Sequence, residues 1–304
     1  MICDKNPRMN PSSQYTIHTL LPEEFPVGLR EIPYQPEKLF IVGELPDPTQ
    51  YYYLAVVGSR KYTSYGREAA ERIIGGLTGY PIVIVSGLAI GIDCIAHRTA
   101  LDNGLLTIAI PGSGLDQSVL YPRTNLALAN EIVESGGALL SEFEPNFHAT
   151  QWSFPQRNRL MAGITQGTLI IEAEEKSGTL ITARLALDYN RNIYAVPGSI
   201  FSAPSKGTNN LIRQGATPIV SSENLLEELG LKEMSYNDSK NKNKLDVTHY
   251  SPDEQTILLL LNNPCSREDI LSSIEKPVAQ TLSILTTLEI KGIICEKNGK
   301  IEWM

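Results

Sequence analysis

Apolar residues in this chain come in short unbroken blocks separated by helical patterns. The clearest block, Leu54-Ala55-Val56-Val57, ends abruptly in Gly58-Ser59-Arg60, and a helical pattern begins near Ser64. A continuous apolar run closed by glycine reads as a strand buried on both faces, as in parallel sheets. Blocks of this kind recur in Ile82-Val83-Ile84-Val85, Leu106 to Ile110, Ala138 to Ser141 and Thr168 to Ile171. Asn192 to Val196 and Pro218-Ile219-Val220 complete the series. The spacing is about 25–30 residues, the βαβ period. Helical patterns fill the gaps over Gly66 to Leu77, Asp93 to Asp102, Asn125 to Glu134, Gln156 to Ile164 and Leu180 to Tyr189. Such alternation requires a parallel sheet covered on both faces. The predicted fold class is α/β, with a Rossmann-like, doubly wound, mostly parallel sheet.

The flanks read differently. Residues 1–50 form a lead-in: a polar start, then Pro26, Pro33 and Pro36, then a strand-like Leu39-Phe40-Ile41-Val42 ending at Gly43. Residues 51–230 are the Rossmann-like domain. Hydrophobicity drops over residues 231–250, as in Asn237-Asp238-Ser239-Lys240-Asn241-Lys242, which predicts a flexible linker. Beyond it, Ser251 caps a helix over Asp253 to Leu261, with Pro252 at its first position. Ser266 caps a second helix to Ile274, and Pro277 to Ile290 makes a third. Gly292 to Glu302 reads as two strands about an Asn298-Gly299 turn. Three helices and a hairpin predict a small winged-helix domain over 251–304. Its third helix carries almost no basic residues, which counts against groove reading by it.

Composition narrows the class. The chain has 304 residues, 42% hydrophobic and 20% charged, within the globular range. No apolar run reaches the ~18 residues of a membrane span. Met1 to Asn10 lack an apolar secretory core, so the expected compartment is the cytoplasm. Cys3, Cys94, Cys265 and Cys295 are scattered without CxxC spacing, which argues against zinc and against a disulfide framework. A net charge of −8 disfavours a broadly basic nucleic-acid surface, and leaves room only for a local positive groove.

Candidate chemistry gathers where strands end. In open α/β sheets the carboxyl ends of the strands bind ligands. After the first block, Gly58 permits a tight turn, Ser59 and nearby backbone N–H groups suit a phosphate, and Arg60 suits a bidentate clamp. The bland alternative is a strand-to-helix turn with a solvated arginine. After the second block come Ser86-Gly87-Leu88-Ala89-Ile90-Gly91-Ile92-Asp93 and then His97. Asp93 and His97 share a helical face, as a general-base dyad or as a cap with a histidine packed over it. The third block ends in Gly112-Ser113-Gly114-Leu115-Asp116, with Tyr121-Pro122 following. In Trp152 to Arg159, Arg157 and Arg159 bracket Asn158 near Trp152 and Phe154, a combination suited to phosphates and unstacked bases. Glu172 is the residue here that can serve a hydrolase, and Ser177-Gly178-Thr179 can open a helix onto an anion.

These motifs, in this order, resemble the DprA/Smf DNA-processing proteins from about Phe25 to Leu229, and more loosely in the C-terminal module. The resemblance rests on Gly58-Ser59-Arg60, on Ser86 to Asp93 with His97, and on Gly112 to Asp116 with Tyr121-Pro122. It continues through Leu140-Ser141-Glu142, Phe154 to Arg159, Lys176 to Arg184, Ala195 to Gly198 and Gly207-Thr208-Asn209. It implies a homodimeric, non-enzymatic protein that binds single-stranded DNA without cofactor or metal, protects incoming DNA, and helps load the RecA recombinase during natural transformation. The family's ligand contacts map onto Gly58, Ser59 and Arg60 and onto Arg157, Asn158 and Arg159. Ser86, Gly87, Gly91, Phe154 and Lys176 join them as candidate DNA-binding residues at the same edge. Ile90 stands where the family commonly has a basic residue, and the N-terminal helical module of many members is not expected here. The runner-up is a nucleotide-cleaving phosphoribohydrolase or nucleotide sensor of related fold. Such a hydrolase needs a Pro-Gly-Gly-x-Gly-Thr-x-x-Glu run, and the nearest stretch, Glu175 to Thr182, lacks the glutamate. A NAD-dependent oxidoreductase fails for want of GxGxxG with a ribose-binding acid.

Overall fold

The computed structural model describes residues 16–231, 250–261, 265–274, 277–291, 293–297 and 300–303. The chain divides into two compact units, Met1–Ser235 and Tyr236–Met304. In the first, the strands are β1 (His18–Leu20), β2 (Leu39–Gly43), β3 (Tyr52–Val57), β4 (Ile82–Ser86), β5 (Leu106–Ala109), β6 (Ala138–Ser141), β7 (Gly167–Ile170), β8 (Asn192–Ala195) and β9 (Thr217–Pro218). The helices are α1 (Val27–Arg30), α2 (Ser64–Gly75), α3 (Ile92–Asp102), α4 (Leu126–Glu134), α5 (Ser153–Ile164), α6 (Thr179–Asp188), α7 (Lys206–Arg213) and α8 (Ser222–Glu228).

The strands form one nine-stranded sheet in the order β1-β2-β6-β5-β4-β3-β7-β8-β9. From β6 to β9 all neighbours pair parallel, whereas β2 runs antiparallel to β6 and β1 antiparallel to β2. The lead-in is therefore part of the sheet: its Leu39–Val42 run supplies an edge extension, with Ile41 opposite Leu140. Alternation along each strand sorts side chains between two helical layers. Tyr53, Val83, Val85, Ile108 and Leu140 pack beneath α1, α5 and α6, with Leu29, Leu160 and Ala183. Leu54, Val56, Ile82 and Ile84 face the opposite layer, with Ile73 of α2, Ile95 of α3 and Leu225 of α8.

Several boundaries differ from the sequence reading, most by one or two residues. The Leu106–Ile110 run leaves the sheet at Ala109, and the expected strand at 218–220 shrinks to Thr217–Pro218. The helix expected from Gln156 begins at Ser153, so Pro155 sits in its first turn. Pro is tolerated there because first-turn N–H groups lack intrahelical partners.

The second unit contains α9 (Pro252–Leu260), β10 (Cys265–Ser266), α10 (Arg267–Ser273), α11 (Val278–Ile290), β11 (Ile294–Lys297) and β12 (Lys300–Trp303). Ser251 and Glu254 form a capping box on α9, with Pro252 in the first turn. Its strands pair antiparallel in the order β10-β12-β11, with Lys297 opposite Lys300. Ile257, Leu258, Leu285 and Ile301 share its core. The linker expected over 231–250 falls almost wholly on residues outside those described, as does Asn298-Gly299. Among the described residues, no helix is long and apolar enough to cross a membrane.

Candidate functional site

The sheet order reverses at β3. The chain steps from β3 to β4, β5 and β6, then returns to place β7 on the other flank of β3. This switch point opens a crevice outside the carboxyl ends of β3 and β7, the usual ligand position in such sheets. A cavity of about 620 Å³ lies there. The turn 58–61, Ala89, the start of α5 and the segment leading into α6 line it.

Close backbone contact builds the β3 turn. A Cβ on Gly58 would stand 2.7 Å from Ile92 Cγ1. Gly91 has φ +93°, and a Cβ there would meet Ser59 O at 2.4 Å. Only glycine accepts both the left-handed φ and the approach. The Ile92 N–H then donates to Ser59 O at 3.2 Å, pinning the turn to α3. The Ser59 hydroxyl accepts from Lys61 N at 3.0 Å and donates to Lys61 O at 2.8 Å, so it holds the turn itself. Arg60 and Lys61 are left exposed on the crevice wall. The Arg60 guanidinium lies 5.0 Å from the Phe154 ring centroid, a cation–π distance.

Across the crevice, Thr179 starts α6 and its hydroxyl donates to Gly58 O at 3.1 Å. Ser177 Oγ accepts from Thr179 N at 3.2 Å. Two segments 121 residues apart in sequence thus join at one rim. The amino end of α6 adds its partial positive charge to Arg60 and Lys61, while Glu174 is the exposed carboxylate on the lining.

Arg157 forms the floor. It is buried, and its Nη1 donates to Gly87 O at 2.6 Å and to Ile110 O. Burial pushes its pKa down to about 10, the nearby Arg60 charge adds to this, and Asp93 opposes it. It remains a cation at neutral pH. Asp93 is buried beside it, and burial raises its carboxyl pKa against the pull of Arg157. A Cβ on Gly87 would sit 2.5 Å from both Arg157 Nη1 and Asp93 Oδ2, so glycine is what lets the two groups converge.

The expectation that Asp93 caps its helix is corrected. Asp93 is the second residue of α3 and its Oδ2 accepts from Gly87 N at 3.1 Å, which braces the loop before the helix. His97 makes no dyad with it. Its Nδ1 lies 2.7 Å from Thr107 Oγ1, which itself donates to Ile84 O, so Nδ1 is the donor. Burial, with the Arg157 charge, pushes His97 down to about 3, so it is neutral. Glu172 is likewise occupied. It accepts from Thr63 N at 2.9 Å and Thr63 Oγ1 at 2.5 Å, fastening the start of α2 to the end of β7.

The structure brings Gly58, Ser59, Arg60, Phe154, Arg157 and Asn158 together on the cavity wall. Gly87 and Gly91 support it from behind. Ser86 is buried and donates to Val56 O at 2.6 Å, a strand-to-strand tie away from the cavity. Arg159 is held elsewhere: its Nη1 donates to Tyr34 O at 2.7 Å and its Nη2 pairs with Glu142. Lys176 is exposed beside Ser177 but outside the lining. The sequence reading overlooked Lys61 and Gln151, both on the wall. Lys61 carried a signal, being a second cation adjacent to Arg60.

The fold and crevice define a Rossmann-like α/β protein whose switch-point crevice carries exposed cations beside an aromatic ring. A family model described as DNA recombination-mediator protein A matches residues 16–230. The Smf protein of Escherichia coli K12 is 36% identical over 293 residues, covering 93% of this chain and 76% of the relative. The X-ray structure of DNA processing protein A from Streptococcus pneumoniae superposes with TM-score 0.64 at 38% identity, over 71% of this chain and 75% of that one. A Helicobacter pylori DNA processing protein A structure, described for its single-stranded DNA binding mode, gives TM-score 0.64 at 32% identity, over 71% and 96% of the two chains. The chain belongs to the DNA recombination-mediator protein A family, that of the DprA and Smf proteins.

Proposed function

We propose that this protein binds single-stranded DNA at the β3–β7 crevice, holding phosphates on Arg60 and Lys61 and an unpaired base on Phe154. The observation that carries this reading is the pairing of an exposed Arg60 with the Phe154 ring at 5.0 Å. A guanidinium there meets a phosphate with two parallel hydrogen bonds, while the ring offers a face to any base. Neither group reads a base edge, so binding is sequence-tolerant. The Helicobacter pylori relative supports the choice of ligand. The net charge of −8 supports the confinement of binding to this local site.

The protein acts as a binding protein, not an enzyme: Glu172, the hydrolase candidate, has its carboxylate engaged by Thr63. In the same reading it is a cytoplasmic homodimer that protects incoming DNA and hands it to the RecA recombinase, and residues 251–304 form a winged-helix module. The test is an anisotropy titration of a labelled single strand and its duplex across salt. Single-strand preference is expected at every salt concentration. Equal affinity for duplex and single strand at moderate salt overturns the proposal.

A further inference from the structure

The loop that follows β5 carries Tyr121, whose side chain is 48% exposed just outside the cavity lining. Its ring centroid lies 5.8 Å from that of Phe154, with the planes tilted by 59°. Phe154 therefore lies next to both Arg60, which lines the cavity, and Tyr121, which does not. The tyrosine loop is anchored by buried polar groups. Tyr121 N donates to the buried Ser113 Oγ at 3.1 Å, and Ser141 Oγ donates to Ser113 O at 2.8 Å. Asn125 Nδ2 donates to Leu88 O at 2.9 Å and to Ala89 O at 3.3 Å, tying the loop to the segment that ends in Ile90. Ile90 is itself 51% exposed. This flank thus presents an aromatic ring and an aliphatic side chain on a braced backbone, a surface that suits bases rather than phosphates.

We propose that Tyr121 is a second base-stacking platform, on which a strand leaving the Arg60–Phe154 crevice sets its next unpaired base. The inference rests on the single-strand reading of the crevice and extends it by one subsite and one direction, toward β5 and β6. The 59° tilt means the two rings take different bases, so the strand bends between them. Tyr121 then contributes only to strands long enough to leave the crevice. Preorganisation by Ser113 and Asn125 keeps the ordering cost of stacking low.

The test compares thymidine 3′,5′-bisphosphate, one base with both its phosphates, with an oligothymidylate of about sixteen nucleotides, the upper end of the site sizes single-strand grooves use. Tyr121→Ala is expected to weaken the oligomer about ten-fold, the scale of one base–aromatic stack, and the single nucleotide less than two-fold. Tyr121→Phe keeps the ring and should bind both like the parent. A wild-type ultraviolet cross-link with 5-iodouridine-substituted strand should appear on the Tyr121 peptide, a measurement independent of any folding defect in the variants. Unchanged oligomer affinity in Tyr121→Ala, equal weakening of both ligands, or a wild-type cross-link map without Tyr121 each overturns the proposal. The underlying reading fails separately, if the wild-type protein does not bind the oligomer or if Arg60→Ala leaves its affinity unchanged.

Discussion

Arg60→Ala tests the crevice most directly. Arg60 is exposed, and its one ring contact is to Phe154 at 5.0 Å. Removing an exposed cation–π contact costs about 0.5–1 kcal/mol of stability. Its charge repels the buried Arg157 and attracts the buried Asp93, two effects of opposite sign. The folded protein should therefore lose no more than about 1 kcal/mol, a shift of only a few degrees in Tm for a domain of this size. Binding should change far more. Loss of a bidentate contact to a charged phosphate costs about 1.5–3 kcal/mol, roughly ten- to a hundred-fold in affinity. One fewer counterion is released, so the slope of log affinity against log salt flattens by about 0.7. Arg60→Lys should recover only part, since an ammonium keeps the charge and loses the fork. The assay is a pair of measurements on each variant: unfolding midpoint, and anisotropy titration with single-stranded oligothymidylate at several salt concentrations. An Arg60→Ala protein with normal midpoint, normal affinity and unchanged salt slope refutes the assignment of the phosphate clamp.

Two further outcomes follow from the other arginine pair and the buried histidine. Arg159 and Glu142 have side chains only 14% and 7% exposed, so Arg159→Ala strands a buried carboxylate and should cost about 3 kcal/mol of stability. Single-strand affinity of the folded variant should stay within two-fold, and a ten-fold loss in an anisotropy titration would return Arg159 to the site. For His97, the folded pKa of about 3 lies below the ordinary 6.5, so between those pH values only the unfolded chain takes up the proton. Stability from this group is complete above pH 6.5 and falls on acidification by about 1.4 kcal/mol per pH unit, roughly 2 kcal/mol by pH 5. Asp93, raised by burial, acts with the opposite sign, so the measurement is the difference in urea unfolding between the parent and His97→Gln from pH 7 to 5. A parallel pair of curves would contradict the neutral, buried assignment.

The central strands were legible because they are buried on both faces: Leu54 to Val57 needs no partner pattern to read as core, and its glycine stop marks where the strand ends. Gly58 was legible as a tight turn, whereas Gly87 and Gly91 read as candidate DNA contacts and in the fold admit Arg157, Asp93 and the Ser59–Arg60 backbone. Arg157 and Arg159 read alike in sequence, as a clamp around Asn158, yet they part company in the fold. On a helix, residues two apart point to nearly opposite faces, so both cannot serve one crevice. Arg157 turned inward, where carbonyls of Gly87 and Ile110 accept its protons, and Arg159 turned to Glu142. Periodicity alone could have separated them.

The amino-acid sequence by itself determined the α/β alternation, the approximate positions of the elements, the sharp turns after the strands and the family to which the chain belongs. Only the tertiary structure decided which turns become neighbours. The site exists because β7 lies beside β3, bringing Thr179 to Gly58 across a separation of 121 positions. Strand order is set by how two helical layers bury the faces of the sheet, a many-body packing problem that local periodicity does not encode. The same packing settled the fate of each polar group: it spent Ser59, Ser86, Asp93 and Glu172 on the frame, and left Arg60, Lys61 and Phe154 facing the crevice. A buried polar group must find its partner inside the protein, and an exposed one is free to find it in a ligand.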